Sequence, residues 1–362
     1  MKNKVSSSKS IELKFDLIRT LLAIFISLII AFIFIFIVSE EPYEAIKRFF
    51  IGPIMNKRNF GNVIELTIPL IFAGLSISVM FQANQFNMAA EGAFFLGGLS
   101  SSIIAVGIQL PFGIHPMIAI LFGGIVGTFV CLIPAILKVV WNANEIVSSL
   151  MLNYIILYLG TYILQYYLLD TTAGYSATHK FLKSAKLPIL LSKTRIHFGI
   201  IIALILVVVT YIFVYKNKYG YEIRILGQNI NFAKYTGISV GGTIILSQII
   251  GGFIAGIGGA IEVLGMYTRF SWVALPGYGF DGIIIAILSK NNPLFVPLAA
   301  FFLAYLRIGA DIMSRRTDVA PEVVSIVQAM IILLIAAKMF LSKYKNRKII
   351  ENSQLKLKEG DK

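Results

Sequence analysis

The chain is poor in the residues that most catalytic and metal-binding chemistry requires. It has one cysteine and three histidines among 362 residues, and only 14% of its residues are charged. The lone Cys131 excludes an intrachain disulfide framework. His115, His179 and His197 are scattered, with no second His or Cys at metal-ligand spacing. There is no Gly-rich phosphate loop closed by Lys and Ser/Thr, no His-Glu-x-x-His and no aspartate-rich cluster. Enzyme chemistry and a nucleotide or metal cofactor held by this chain are therefore not expected.

What the chain has instead is oil. Hydrophobic residues make up 57% of it, against roughly 45–50% in globular domains. A soluble fold has no place to hide that surface, whereas lipid needs none hidden, so the expected class is an all-α polytopic membrane protein. The net charge of +14 is not spread like a nucleic-acid footprint. Lys2, Lys4, Lys9, Lys14 and Arg19 precede the first apolar run, and Lys343, Lys345, Arg347, Lys348, Lys356, Lys358 and Lys362 follow the last. Such flanks mark the cytoplasmic side of a membrane. The run at 20–38 ends in Ser-Glu-Glu-Pro, is too long for a signal-peptide core and reads as an uncleaved helix.

Apolar segments fall at 17–38, 63–81, 92–106, 117–138, 148–169, 198–215, 241–266, 282–288, 294–310 and 322–341. About ten transmembrane helices are thus expected, the third and eighth short. The permease body is 17–341, flanked by basic tails at 1–16 and 342–362. An even number of spans puts both termini in the cytoplasm together with the loop 216–240, and leaves the loops 39–62 and 170–198 outside a bacterial plasma membrane. The basic residues of 39–62 and 170–198 run against that orientation, and the tails and central loop outweigh them. Five helices on each side of 170–198 give an inverted five-plus-five repeat with discontinuous helices. An echo supports it: Phe86-Asn-Met-Ala-Ala-Glu-Gly92 and Pro276-Gly-Tyr-Gly-Phe-Asp-Gly282 both end in acid-Gly at the start of a short apolar helix.

Ionisable and amide residues at membrane depth need a reason to be there, because charge at a bilayer centre is costly. Glu262 shares a helix face with Gly251, Ala255 and Gly258. Those small residues admit a neighbouring helix, so Glu262 faces protein, either lining a solute path or tying two helices together. The stretch 82–91 is amide-rich between two apolar helices, and unwound backbone there has to line a cavity or be buried. Asn84, Phe86, Asn87 and Glu91 are its candidates for a solute path, an ordinary turn being the plain alternative. Asn144, Glu145 and Asn153 around the start of the fifth helix, and Asp281 before the eighth, complete the set. The polar stretch 219–238 cannot span. In it Asn229 caps a short helix and Gly237 ends it, with Ile230, Ala233 and Lys234 on one face and Phe232 and Tyr235 offset. This helix is shaped either to dock into a partner's groove or to rest on lipid headgroups.

Several stretches together resemble the permeases of bacterial ABC importers for nucleosides and simple sugars, a branch of the branched-chain amino-acid permease superfamily. They are 86–92, Asn144-Glu-Ile-Val-Ser-Ser-Leu-Met-Leu-Asn-Tyr154, 226–238, Ala255-Gly-Ile-Gly-Gly-Ala-Ile-Glu-Val-Leu-Gly265, and 277–288 continuing to Asn291-Asn-Pro293. Gln85, Ala89-Ala90 and Ser289-Lys290 depart from the commoner family residues and leave substrate preference open. The resemblance implies a coupling helix within 226–238, with Asn229, Phe232, Ala233, Tyr235 and Gly237, docking on a separate cytoplasmic ATPase that holds ATP and Mg. It also implies a second permease subunit and an extracytoplasmic binding protein or lipoprotein. The alternative is an ion-coupled secondary transporter using Glu262 or Asp281.

Overall fold

The computed structural model describes residues 29–320, apart from 31, 34 and 38, together with residue 329. The two basic tails, most of the expected first span and nearly all of the last lie outside the described residues. By contact the chain divides into two compact units, Met1–Gly52 with Gly309–Lys362, and Pro53–Ile308.

Eleven α-helices have both ends among the described residues: α1 (Pro42–Met55), α2 (Lys57–Gln82), α3 (Ala90–Gly107), α4 (Ile114–Trp141), α5 (Glu145–Tyr167), α6 (Gly199–Lys216), α7 (Lys218–Gln228), α8 (Ile230–Tyr235), α9 (Val240–Met266), α10 (Tyr278–Leu288) and α11 (Val296–Arg316). There is no strand among them. α2 to α6, α9, and α11 with the short turn leading into it are long and apolar enough to cross a membrane, seven in all, while α10 is apolar but only 11 residues long. These eight helices coincide with the eight expected segments that fall on described residues.

One element overturns an expectation. Residues 39–62 are not a loop but hold α1 and the start of α2. The pattern is amphipathic: Ala45 and Phe49 are buried, while Glu44 pairs with Arg48 at 2.7 Å on the other side. Its charge hid it from a hydropathy reading. In the same unit Asp318 accepts from the Ser39 hydroxyl at 2.7 Å and the Glu40 N–H at 2.6 Å.

In the larger unit α9 is the central post, packed on α4, α3 and α2, and α10 lies along α2. Small residues make this possible. A Cβ on Gly97 would sit 2.6 Å from the Cα of Gly256, so α3 and α9 touch backbone to backbone. A Cβ on Gly258 would strike Phe72 and Phe94 at 2.6 Å, and one on Gly251 would strike Met80. Ala255 is fully buried between them. The far ends of α3, α5 and α9 are bound by the segment 168–198: Thr178 N–H donates to Phe270 O and Phe181 N–H to Thr268 O, both at 3.0 Å, and Leu182 N–H to Ala105 O at 3.1 Å.

Candidate functional site

The break between α2 and α3 leaves residues 83–89 outside any helix. Asn84 adopts φ +56° and is exposed, and Phe86 leans on Phe81 with ring centroids 4.8 Å apart. Asn87 is different, because it is fully buried and saturated. Its amide donates to Gln248 Oε1 at 2.9 Å and to Cys131 O at 3.2 Å, while its oxygen accepts from Ala89 N–H at 2.8 Å. Gln248 in turn donates to Glu145 Oε1 at 3.2 Å. Ser149 Oγ receives Met88 N–H, and Asn153 receives Gly92 N–H at 2.9 Å while donating to Met88 O at 3.0 Å. Asn87, Glu145 and Asn153 therefore gather around the break between α2 and α3, where Asn87 and Asn153 satisfy backbone groups of the turn and of the start of α3. Asn144 stands apart as the exposed cap of α5, accepting from Ile146 and Val147 N–H.

The two acid-Gly stretches come face to face. Glu91, fully buried at the start of α3, accepts from the N–H of Gly277 and of Gly279, both at 2.5 Å. Gly277 has φ +85° and no side chain to cap α10, so Glu91 supplies from another helix the acceptor that α10 lacks. Gly279 must be glycine, since a Cβ there would lie 2.6 Å from Glu91 Cα. Asp281, one turn on, is ion-paired with Arg307 of α11.

A third group lies near the end of α9. Glu262 is 1% exposed, accepts from Tyr278 Oη at 3.2 Å through one oxygen, and has no partner for the other. Glu65 of α2 lies within electrostatic reach of it, and Arg195 within reach of Glu65. Aromatic rings surround this corner: Tyr278 is 5.0 Å from Phe94, and Trp272 packs on Phe270 at 5.4 Å and Tyr267 at 6.0 Å. Glu65 and Gln248 escaped the sequence reading. Each is one polar residue in a long apolar helix, with no neighbour in sequence to betray its partner.

Outside the spans, Asp170 ties this corner down. It accepts from Thr172, and Arg269 reaches it at 2.6 Å. The Thr172 hydrogen bonds, with Arg269, hold its carboxyl at about 2, below the usual range.

At the opposite end of the bundle, α7 and α8 sit on the Gln82 end of α2, where Gly227 leaves no room for a Cβ against Gln82 O. Asn229 caps α8 by accepting Phe232 N–H at 3.0 Å, and Gly237 turns the chain at φ +79°. Ala233 is buried with Ile223, Leu226, Ala83 and Ile244, while Phe232 is 52% and Tyr235 91% exposed. Ile230 and Lys234, expected to share the face of Ala233, are exposed too.

A bundle of apolar helices in which the turn between two spans meets a half-length helix, with polar groups buried where they join, fits a membrane transport protein. The chain matches the branched-chain amino acid transport system / permease component family over residues 59–336, and belongs to it. Among curated proteins it is similar to a guanosine ABC transporter permease protein of Bacillus subtilis, 34% identical over 76% of this chain and 80% of that one. It is 30% identical to a glucose ABC transporter permease protein of Haloferax volcanii over 85% of this chain and 83% of that one. It is also 29% identical to a nucleoside ABC transporter permease protein of Lactococcus lactis, over 94% and 97%. No solved structure matches.

Proposed function

We propose that this chain is the permease subunit of an ABC importer that carries nucleosides or simple sugars across a bacterial plasma membrane, with both termini cytoplasmic. Family membership and relatives named for guanosine, nucleoside and glucose transport support the role and the solute class. The observation that carries the coupling mechanism is α8. Ala233 seats this helix, and Phe232 and Tyr235 point away from the bundle as anchors for a cytoplasmic ATPase. ATP bound on that partner moves α8; α7 and the Gln82 end of α2 follow, and the helices joined at Glu91 rock to expose the solute to each side in turn. A second permease subunit and an extracytoplasmic binding protein complete the assembly. The meeting of 86–92 with 276–282 supports an inverted repeat, the two stretches taking equivalent places at its centre.

The test is co-purification of the ATPase with full-length permease. Phe232→Asp with Tyr235→Asp should lower recovery at least about tenfold, since each aromatic anchor of a small interface contributes roughly 1–2 kcal/mol or more. Unchanged recovery would sink the docking role. The ion-coupled alternative has one observation in its favour, the unpartnered oxygen of Glu262 beside Glu65. Against it, Asp281 is already engaged by Arg307. Uptake abolished by a protonophore while cellular ATP is maintained would favour that alternative.

A further inference from the structure

The segment 168–198 carries charge that the transport reading leaves unused. Lys180, Lys183, Lys186 and Lys193 lie in it, and its one carboxylate, Asp170, is already held by Arg269 and Thr172. None of the four lysines has an ion pair among the described residues. They belong to the basic loop that runs against the orientation set by the tails, so they need a local reason.

Two of them adjoin an apolar slot of about 490 Å³. Met117 and Leu121 line it from α4, Phe198 and Ile202 from the start of α6, Leu187 from the segment itself and Ile257 from α9. Lys186 directly precedes Leu187, and Lys183 opens the 3-10 turn Lys183–Ala185 just before it. Residues three apart in such a turn share a side, so the two lysines rise together. Ser184 Oγ lies 2.9 Å from His115 Nδ1, which fixes this turn on the start of α4, close to Met117.

Lining and depth name the occupant. No charged or hydrogen-bonding side chain lines the slot, so a sugar or a nucleoside would give up water there and gain no partner. Hydrocarbon gives up nothing. Along α4 the lining runs from Gly113 and stops at Leu121, roughly 12 Å at 1.5 Å per residue. That is close to half of a hydrocarbon core of about 30 Å. A spanning helix, from this chain or from a second copy, needs a groove along the whole of α4. An acyl chain needs one leaflet, and its headgroup then comes level with Lys183 and Lys186.

We propose that the slot and its two lysines bind one anionic phospholipid of the outer leaflet, an acyl chain lying against Met117, Leu121 and Ile202 and the phosphate on Lys183 and Lys186. The lipid joins α4, α6 and the post α9, so it is a structural part of the bundle and not cargo. Only its leaflet rests on the orientation proposed above; the site itself does not.

The test is binding of phosphatidylglycerol to the full-length permease in detergent, titrated and read by native mass spectrometry. One molecule should bind at least tenfold more tightly than phosphatidylcholine. Lys183→Gln with Lys186→Gln should remove that preference, because lysines beside a headgroup act through its charge. Leu121→Trp, which puts a larger ring into the slot, should weaken both lipids at least fivefold. Equal affinity for the two lipids in the native chain would overturn the headgroup site. So would a preference that survives loss of both lysines, and if uptake were lost with it the lysines would belong to a protein partner. Unchanged binding to Leu121→Trp would overturn the slot, and displacement by inorganic phosphate alone would reduce the site to one for an ion. Neither lysine is buried, so the lysine variant carries the test even where Leu121→Trp fails to fold. The leaflet is read separately. In intact cells Lys186→Cys should react with a membrane-impermeant thiol reagent, against the quiet background of the fully buried Cys131. No reaction, with lipid binding unchanged, would overturn the outer leaflet and the orientation together while the lipid site stood.

Discussion

α2 and α5 are both long, apolar helices, yet in the most hydrophobic stretch 89% of α2 is buried inside the protein and only 22% of α5. Hydropathy does not separate them. What separates them is residue size and where polar atoms go. α2 and its partner α9 carry Ser76, Gly251 and Gly258 at their contacts, Gly74 of α2 admits Ile285 of α10, and Ser76 Oγ donates to Gly251 O at 2.7 Å. α5 turns its small residues, Ser149 and Gly160, inward and its tyrosines outward. Without a hydrophobic drive between helices in lipid, close backbone approach and buried hydrogen bonds decide which helices form the core.

The comparison breaks most visibly at Gly258. Gly258→Leu forces a branched side chain into Phe72 and Phe94, and should cost about 3 kcal/mol or more, at or beyond the usual range for overpacking. Thermal unfolding in detergent should show a large drop or no folded peak; a stable variant would mean that α9 does not pack on α2 there.

Acid should come next. His197 is fully buried beside Gly199 and Gly265, and its Nδ1 accepts Gly199 N–H at 3.2 Å. Burial pushes the imidazole from 6.5 down to about 4. The folded chain therefore binds fewer protons than the unfolded one between those values. Stability should be flat above pH 6.5 and fall by up to about 3 kcal/mol on acidification to pH 4, a slope that His197→Gln should reduce. Asp170 contributes the same sign at lower pH, from its ordinary value of 3.8 to about 2.

Asn87→Leu is a smaller break. It strands Gln248 Oε1 and Ala89 N–H, each unpaired buried group costing about 1–3 kcal/mol, so lost uptake should come with a lower unfolding midpoint. Lost uptake at an unchanged midpoint would place Asn87 on the solute path. The smallest effect belongs to the open face of α6. Val208→Leu on α6 should stay within about 0.5 kcal/mol of wild type in the same assay, and a larger loss would show that protein covers this face.

Sequence made the spans legible because lipid imposes a length and a composition that a linear reading can see. It also singled out the two acid-Gly stretches through their similarity, though not that they touch. It could not find α1, whose charged side breaks the hydropathy, nor the nearness of Glu65 to Glu262 and the hydrogen bond of Asn87 to Gln248, which exist only across helices. The amide-rich turn shows a subtler limit. Its composition announced a polar demand at membrane depth, but not that its own backbone makes part of that demand.

The grip of Glu91 on the two amides that open α10 has a mechanical consequence. A carboxylate seated on a helix start at 2.5 Å is a rivet, and α3 and α10 cannot slide past each other without tearing it out. Any hinge that serves the transport cycle must then lie to either side of the rivet, in the 83–89 turn or in the 267–276 strap. These two stretches carry the unwound chain, while the riveted pair turns as one piece.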